Sequence, residues 1–216
     1  MDKQQCLEIV TSTGIVAVVR VDDAKKVNNI ADALLAGGVK CIEITLTVPG
    51  AIDVIKILAK EYSDKAVIGA GTVLDAETAR MAILAGADYI VSPVLKLDVI
   101  AMCRRYSKAV VPAGITPTEI LTAWEAGADI VKVFPATSLG PQFFKDVLAP
   151  LPYVKMLPTG GVSLETAGKF IQAGAVAVAA GSNLVNKKLV AENKWDEITV
   201  LAKKYIDAVK SAREGI

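Results

Sequence analysis

The chain has 216 residues, 53% of them hydrophobic, with 24 Lys and Arg against 23 Asp and Glu and no histidine. That length fits one barrel-type domain better than two compact ones; a net charge of +1 offers nothing to a polyanion such as nucleic acid; and no apolar stretch reaches the roughly 18 residues of a membrane span. The missing histidine excludes His-ligated zinc, Ser-His-Asp triads and imidazole acid–base chemistry, and leaves Lys, Glu, Asp, Tyr, Cys and backbone dipoles to carry any catalysis.

The first residues, Met1 to Cys6, are polar and lack the apolar core of a signal peptide. Cys6, Cys41 and Cys103 are widely spaced and match neither a metal site nor a disulfide framework, which predicts a reduced, cytoplasmic protein. A short helix from Lys3 to Thr11 is expected to cap the bottom of the fold. Apolar, β-branched strands are then expected at Ile15 to Arg20, Cys41 to Ile44, Val67 to Ala70, Tyr89 to Ser92, Ala109 to Pro112, Ile130 to Val133, Val154 to Leu157 and Ala177 to Ala179. Helical stretches lie between them, among them Asp23 to Ala36, Ala51 to Lys60, Ala76 to Ala85 and Thr118 to Ala126. The last helix runs from just after Asn183 to near Gly215. One phrase recurs: Ala36-Gly37-Gly38-Val39, Ala85-Gly86-Ala87-Asp88, Ala126-Gly127-Ala128-Asp129 and Ala173-Gly174-Ala175-Val176. In each, glycine supplies the left-handed residue that ends a helix, and an apolar strand follows. The interval between copies is about two βα units. Eight strands alternating with helices over residues 1–216 predict a single α/β domain, a (β/α)8 TIM barrel with a short N-terminal capping helix. An open doubly wound sheet would need a topological switch, and the even repeat argues against one.

In a barrel the active site lies at the C-terminal ends of the strands. The polar residues expected there are Arg20, Glu43 with Thr45 and Thr47, Thr72, Ser92 beside Pro93, Lys132 before Phe134, Thr159-Gly160-Gly161 and Gly181-Ser182. Lys132 interrupts an otherwise apolar strand. A buried lysine is either paired or sheds its proton, and a neutral amine is the nucleophile of Schiff-base chemistry. Glu43 likewise interrupts Cys41-Ile42-Glu43-Ile44 and supplies a carboxyl group for proton transfer. A structural Lys–Glu pair is the competing explanation. Lys155, in Val154-Lys155-Met156-Leu157-Pro158, is a rival for Lys132, although Pro152 should delay its strand and leave it near the floor. The turns after the last two strands, Thr159-Gly160-Gly161 and Gly181-Ser182, suit phosphate, because glycine lets the anion approach bare backbone N–H groups.

Taken in order, these segments resemble the family of 2-keto-3-deoxy-6-phosphogluconate (KDPG) and 4-hydroxy-2-oxoglutarate (KHG) aldolases. The resemblance runs through Gly37-Gly38-Val39, Ile42-Glu43-Ile44-Thr45, Gly69-Ala70-Gly71-Thr72-Val73 and Ser92-Pro93. It continues through Pro117-Thr118-Glu119, Val131-Lys132-Val133-Phe134-Pro135, Gly140-Pro141-Gln142-Phe143 and Pro158-Thr159-Gly160-Gly161-Val162. It implies a class I aldolase that needs no metal or other cofactor, with Lys132 as the Schiff-base lysine and Glu43 as the acid–base. Arg20, Thr47, Thr72, Pro93 and Phe134 would line the substrate pocket, and Thr159, Gly160, Gly161, Gly181 and Ser182 would hold the phosphate. The implied partners are a phosphorylated 2-keto acid and pyruvate, with neither nucleic acid nor membrane, and the implied assembly is a homotrimer. Two positions depart from the pattern. Thr47 stands where many members carry a carboxylate-binding arginine, and Val94 follows Ser92-Pro93 where Gly or a polar residue is usual. These departures bear on substrate preference, so a galactonate-configured 6-phosphate or hydroxyoxoglutarate is an alternative substrate. A phosphate-binding isomerase or synthase, or a non-catalytic barrel, is the alternative class.

Overall fold

The computed structural model describes residues 1–215; Ile216, the last residue of the expected domain, lies outside them. After α1 (Lys3–Thr13) the chain alternates strand and helix. The first half comprises β1 (Ile15–Val19), α2 (Val27–Ala36), β2 (Cys41–Thr45), α3 (Ala51–Glu61), β3 (Val67–Gly71), α4 (Ala76–Leu84), β4 (Tyr89–Val91) and α5 (Leu97–Arg105). The second comprises β5 (Ala109–Val111), α6 (Pro117–Glu125), β6 (Val131–Val133), α7 (Gly140–Leu148), β7 (Met156–Pro158), α8 (Leu164–Gln172), β8 (Val178–Ala180), α9 (Lys187–Ala191) and α10 (Trp195–Glu214). Six strands form one sheet in the order β5-β4-β3-β2-β1-β8, and β6 pairs with β7. All these pairings are parallel. Isolated bridges join Ala113, past β5, to Lys132 on β6, and Thr159, past β7, to Ala179 on β8. The result is an α/β fold with a curled parallel sheet.

Every residue of the eight strands is buried. A parallel strand covered on both faces must be apolar on both, so these segments show no polar alternation. Successive side chains nonetheless point opposite ways. Ile42, Ile44, Ile68, Val131 and Val133 pack outward among the helices, while Val16, Cys41, Tyr89, Val111, Ile130 and Leu157 meet inside, together with Cys6 and Val10 of α1.

The recurrent phrase has two structural duties. Gly38, Gly86, Gly127 and Gly174 take φ of +90°, +105°, +100° and +98°, the left-handed turn that stops each helix. In the first copy the second glycine has this role, not Gly37. In the two copies ending in aspartate, the carboxylate then accepts a backbone N–H from an adjoining strand: Asp88 from Ile68 at 3.0 Å and Asp129 from Val110 at 2.9 Å. Asp129 also pairs with Lys3 at 2.7 Å, which ties α1 to the starts of the strands.

Several boundaries differ from expectation, most by a residue or two, and three of the differences have a clear local reason. The strand expected from Val154 starts at Met156, after the turn containing Pro152, and Lys155 is exposed ahead of it. The helix expected from Asp23 opens as a 3-10 turn, Ala24–Lys26, with Asp23 accepting from Lys25 N–H at 3.0 Å. The single helix expected after Asn183 is two. Asn186 caps α9 by accepting from Lys188 N–H at 2.9 Å, and Asn193 at φ +55° ends it before α10 begins. Asparagine favours both geometries. Among the described residues no helix is long and apolar enough to cross a membrane.

Phe144 on α7 is fully buried and meets the ring of Phe170 on α8 edge-on, with centroids 5.3 Å apart. Phe144→Ala should therefore lower unfolding stability by about 3–5 kcal/mol in urea titrations.

Candidate active site

Inward-facing positions along the sheet interior are apolar near the strand starts and turn polar toward the strand ends. On β6 the alternation sends Val131 and Val133 to the helices and turns Lys132 inward, where it is 5% exposed. On β2 it sends Ile42 and Ile44 outward and turns Glu43 inward, where it is 2% exposed. The neighbouring strand β3 begins with an inward Val67 and then has glycine at its next two inward positions, Gly69 and Gly71. A Cβ on Gly71 would fall on the Glu43 carboxylate, so the carboxyl group occupies room that only glycine leaves free.

Burial is the main force on Glu43 and pushes its carboxyl above its ordinary value of 4.5, while the charges of Lys132 and Arg20 pull it back. Lys132 and Glu43 are thus in electrostatic contact across the interior, yet they are not among the ion pairs within 4.0 Å. The Lys132 ammonium lies 5.1 Å from the centre of the Phe134 ring.

Beside this pair opens a cavity of about 270 Å³. Seven of the residues expected at the site line it: Arg20, Phe134, Thr159, Gly160, Gly161, Gly181 and Ser182. Lys132 and Glu43 do not themselves line it. They are joined to it by Phe134, whose ring faces both Lys132 and the cavity, and by Arg20, which lines the cavity and acts on Glu43. Gly160 and Gly161 take φ of +84° and +73°. At Gly161 a Cβ would stand 2.8 Å from Thr137 Oγ1. The Thr159 hydroxyl is buried and, among the described residues, has no hydrogen-bond partner. In the turn after β8, the N–H groups of Leu184 and Val185 return to Gly181 O at 2.9 and 2.8 Å. Asn183 Nδ2 donates to Val162 O at 2.8 Å and so fastens this turn to the one after β7.

The remaining expected residues stand at the same strand ends but outside the cavity lining. Thr47 is exposed, with its hydroxyl 2.8 Å from that of Thr45, which donates to Val19 O at 3.2 Å. Thr72 holds φ +63°, a strained conformation for a β-branched residue. Pro93 is half-buried next to Ser92, whose hydroxyl accepts from Val94 N–H at 3.3 Å.

Sequence reasoning missed Lys187 and Asn183 in the cavity wall. Treating everything after Asn183 as one helix hid Lys187, which in fact opens α9 immediately after the turn. It also missed the space made by Gly71. The Gly-Ala-Gly alternation of β3, set beside Glu43 in the neighbouring strand, was the available signal.

The family model "Aldolase: KDPG and KHG aldolase" matches residues 7–201. A 2-dehydro-3-deoxy-phosphogluconate aldolase of Haemophilus influenzae is 35% identical over 208 residues, spanning 96% of this chain and 98% of its own. A 2-dehydro-3-deoxy-6-phosphogalactonate aldolase of Escherichia coli is 35% identical over 179 residues, spanning 82% and 87%. A solved KDPG aldolase of Legionella pneumophila, with pyruvate captured as a covalent carbinolamine, superposes with a TM-score of 0.86 at 25% identity and covers 92% of this chain and 97% of that one. With a curled parallel sheet, a buried lysine facing a buried glutamate and these matches over nearly the whole length, the chain belongs to the KDPG and KHG aldolase family.

Proposed function

We propose that this chain cleaves KDPG to pyruvate and glyceraldehyde 3-phosphate as a class I aldolase, with Lys132 as the Schiff-base lysine and Glu43 as the acid–base. The observation that carries the residue assignment is the inward placement of both groups, each buried, with the charge of Lys132 acting on the Glu43 carboxyl. Lys132 Nζ attacks the C2 ketone and gives a carbinolamine. Glu43 then supplies the proton with which water leaves, forming an iminium. The iminium accepts the electron pair of the C3–C4 bond as that bond breaks, while Glu43 takes the C4 hydroxyl proton. The aldehyde departs, the enamine is reprotonated at C3, and hydrolysis releases pyruvate and the free amine. The iminium does what a Lewis-acid metal would otherwise do.

Arg20 is the carboxylate-binding cation in this reading, in place of the arginine that Thr47 replaces; Thr72, Pro93, Phe134 and Thr47 complete the keto-acid end. The phosphate goes to the N–H groups of Gly160, Gly161, Gly181 and Ser182 with the hydroxyl of Thr159, and Lys187 adds a positive charge to the same wall. We further infer one (β/α)8 barrel spanning the chain. Its support is the two bridges that join the six-stranded sheet to β6 and β7, and the Lys3–Asp129 pair supports α1 as its cap. A homotrimer finds support in exposed Leu74, Met81, Leu84, Val94 and Leu97, which lie on or just ahead of the adjoining α4 and α5. A cytoplasmic setting finds support in three free cysteines, all buried.

The deciding experiment is pyruvate release, coupled to lactate dehydrogenase, from KDPG, its galactonate-configured counterpart and 4-hydroxy-2-oxoglutarate. The galactonate form is the second reading, since the Escherichia coli relative named for it has the same 35% identity as the gluconate one, over 179 residues against 208. KDPG should be cleaved; no pyruvate from any of the three would overturn the aldolase reading.

Borohydride with pyruvate should add mass to Lys132 alone. Lys132→Ala should lose the label and at least about 1,000-fold of turnover, with the fold retained. Lys155→Ala should keep both. Glu43→Gln should cost at least about 100-fold in turnover and yet melt higher than wild type at pH 8. The sign follows from burial. The native Glu43 carboxyl binds its proton more tightly than the unfolded one, so native stability falls as pH rises from 4.5 through the raised native value. The advantage of the glutamine variant should therefore shrink as pH falls toward 4.5, which thermal melts across pH will check.

A further inference from the structure

On the strand-start side of Glu43, away from the substrate cavity, Tyr89 of β4 points into the same interior. Its ring fills the place left by Gly69, where a Cβ would fall on the ring atoms. Tyr89 is 2% exposed, and among the described residues its hydroxyl has no hydrogen-bond partner. Phenylalanine would fill the same space without a stranded hydroxyl, and buried polar groups in folded proteins are almost always partnered. The hydroxyl therefore calls for a partner.

Tyr89 and Glu43 border a common void of about 10 Å³, whose other walls are apolar, among them Val10 of α1, Val16, Val111, Ile130 and Leu157. A void needs about 10–15 Å³ on this measure to hold one water, and such a water needs polar neighbours. This void has two, Tyr89 and Glu43.

We propose that one buried water bridges Tyr89 to Glu43, with the Tyr89 hydroxyl donating to the water and the water donating to the carboxylate, so that Tyr89 is a positioning residue for Glu43. The proposal rests on Glu43 being the acid–base of the aldolase reaction. It gives the carboxyl group a fixed lower contact, while its upper side stays free to exchange protons with substrate. A donor aimed at the carboxylate favours its charged form and partly offsets the effect of burial. The other charged groups that act on Glu43 are Lys132 on β6 and Arg20 after β1; Gly69 and Gly71 of β3 carry none. Around Tyr89 stand Cys41 on β2, Cys6 on α1 and Asp88 ahead of β4. Burial pushes both thiols up, Cys41 to about 12, so neither titrates alongside Glu43.

Two measurements on the intact protein test this, and neither needs turnover, so a failure here is separate from a failure of the aldolase assay. The first is a crystal structure of the wild type, in which ordered water density should lie within hydrogen-bonding distance of both Tyr89 Oη and a Glu43 oxygen. The second is the titration of the Glu43 carboxyl by carbon-13 NMR, assigned by its loss in Glu43→Gln. Tyr89→Phe, which keeps the ring and its packing, should raise the midpoint by about half a unit to one unit. If the wild type is an aldolase, this variant should lose about 3- to 10-fold in kcat with KM within about twofold. A dry void, or a midpoint that stays put or falls in Tyr89→Phe, overturns the proposal, because a phenol that merely packs would leave the titration where it was.

Discussion

Holding a carboxylate and an ammonium together inside an apolar interior is the constraint around which this molecule is arranged. Either group alone in that position would be heavily penalised, because little solvent is left to stabilise its charge. Together they offset part of that penalty without removing it, and the raised carboxyl of Glu43 is its visible remainder. The residual imbalance suits the proposed chemistry. A carboxyl group that gives up its proton reluctantly, beside an amine that must form a carbon–nitrogen bond, is prepared for successive proton transfers.

The sheet meets this constraint largely through what it omits. Beyond Val67, β3 presents no inward side chain, since Gly69 and Gly71 both sit at inward positions, and the vacated room goes to the ring of Tyr89 and the carboxyl of Glu43. Elsewhere Val16, Val111, Ile130 and Leu157 fill the interior, and Cys6 and Val10 of α1 pack with them. Function and packing are therefore coupled. Of the two glycines that weaken β3 as a strand former, Gly71 is the one that lets the carboxyl group of Glu43 lie inside.

In the proposed reading, reaction and recognition are divided along the strand ends. The buried pair lies to one side, and the cavity wall formed by the turns after β7 and β8 lies to the other; Phe134 in that wall stands beside Lys132, and the charge of Arg20 acts on Glu43. The turns are stitched to each other through Asn183 and Val162. A ligand spanning the cavity would thus be held at its distal end by rigid backbone while its keto carbon lies beside the lysine, the kind of fixed approach that lowers the entropic part of a barrier.

How much of this was legible beforehand depends on the range of the forces involved. Strand and helix order, the glycine stops of the repeated phrase and the exceptional character of Lys132 and Glu43 are written in nearest-neighbour patterns, because burial on both faces of a parallel strand leaves a solid apolar run in which one charge is conspicuous. By itself, the order of residues established an alternating α/β chain and a short roster of candidate chemistry; on pattern alone it left Lys132 and Lys155 as rivals. Only the tertiary structure decided which way each side chain points relative to the others: that Lys155 stays outside, that Gly71 makes the space Glu43 fills, that Lys187 reaches the cavity, and that Tyr89 shares a void with Glu43. Those outcomes depend on register and curvature between strands far apart in sequence, and no local pattern encodes the distance between residues 43, 71, 89 and 132 until the sheet has curled.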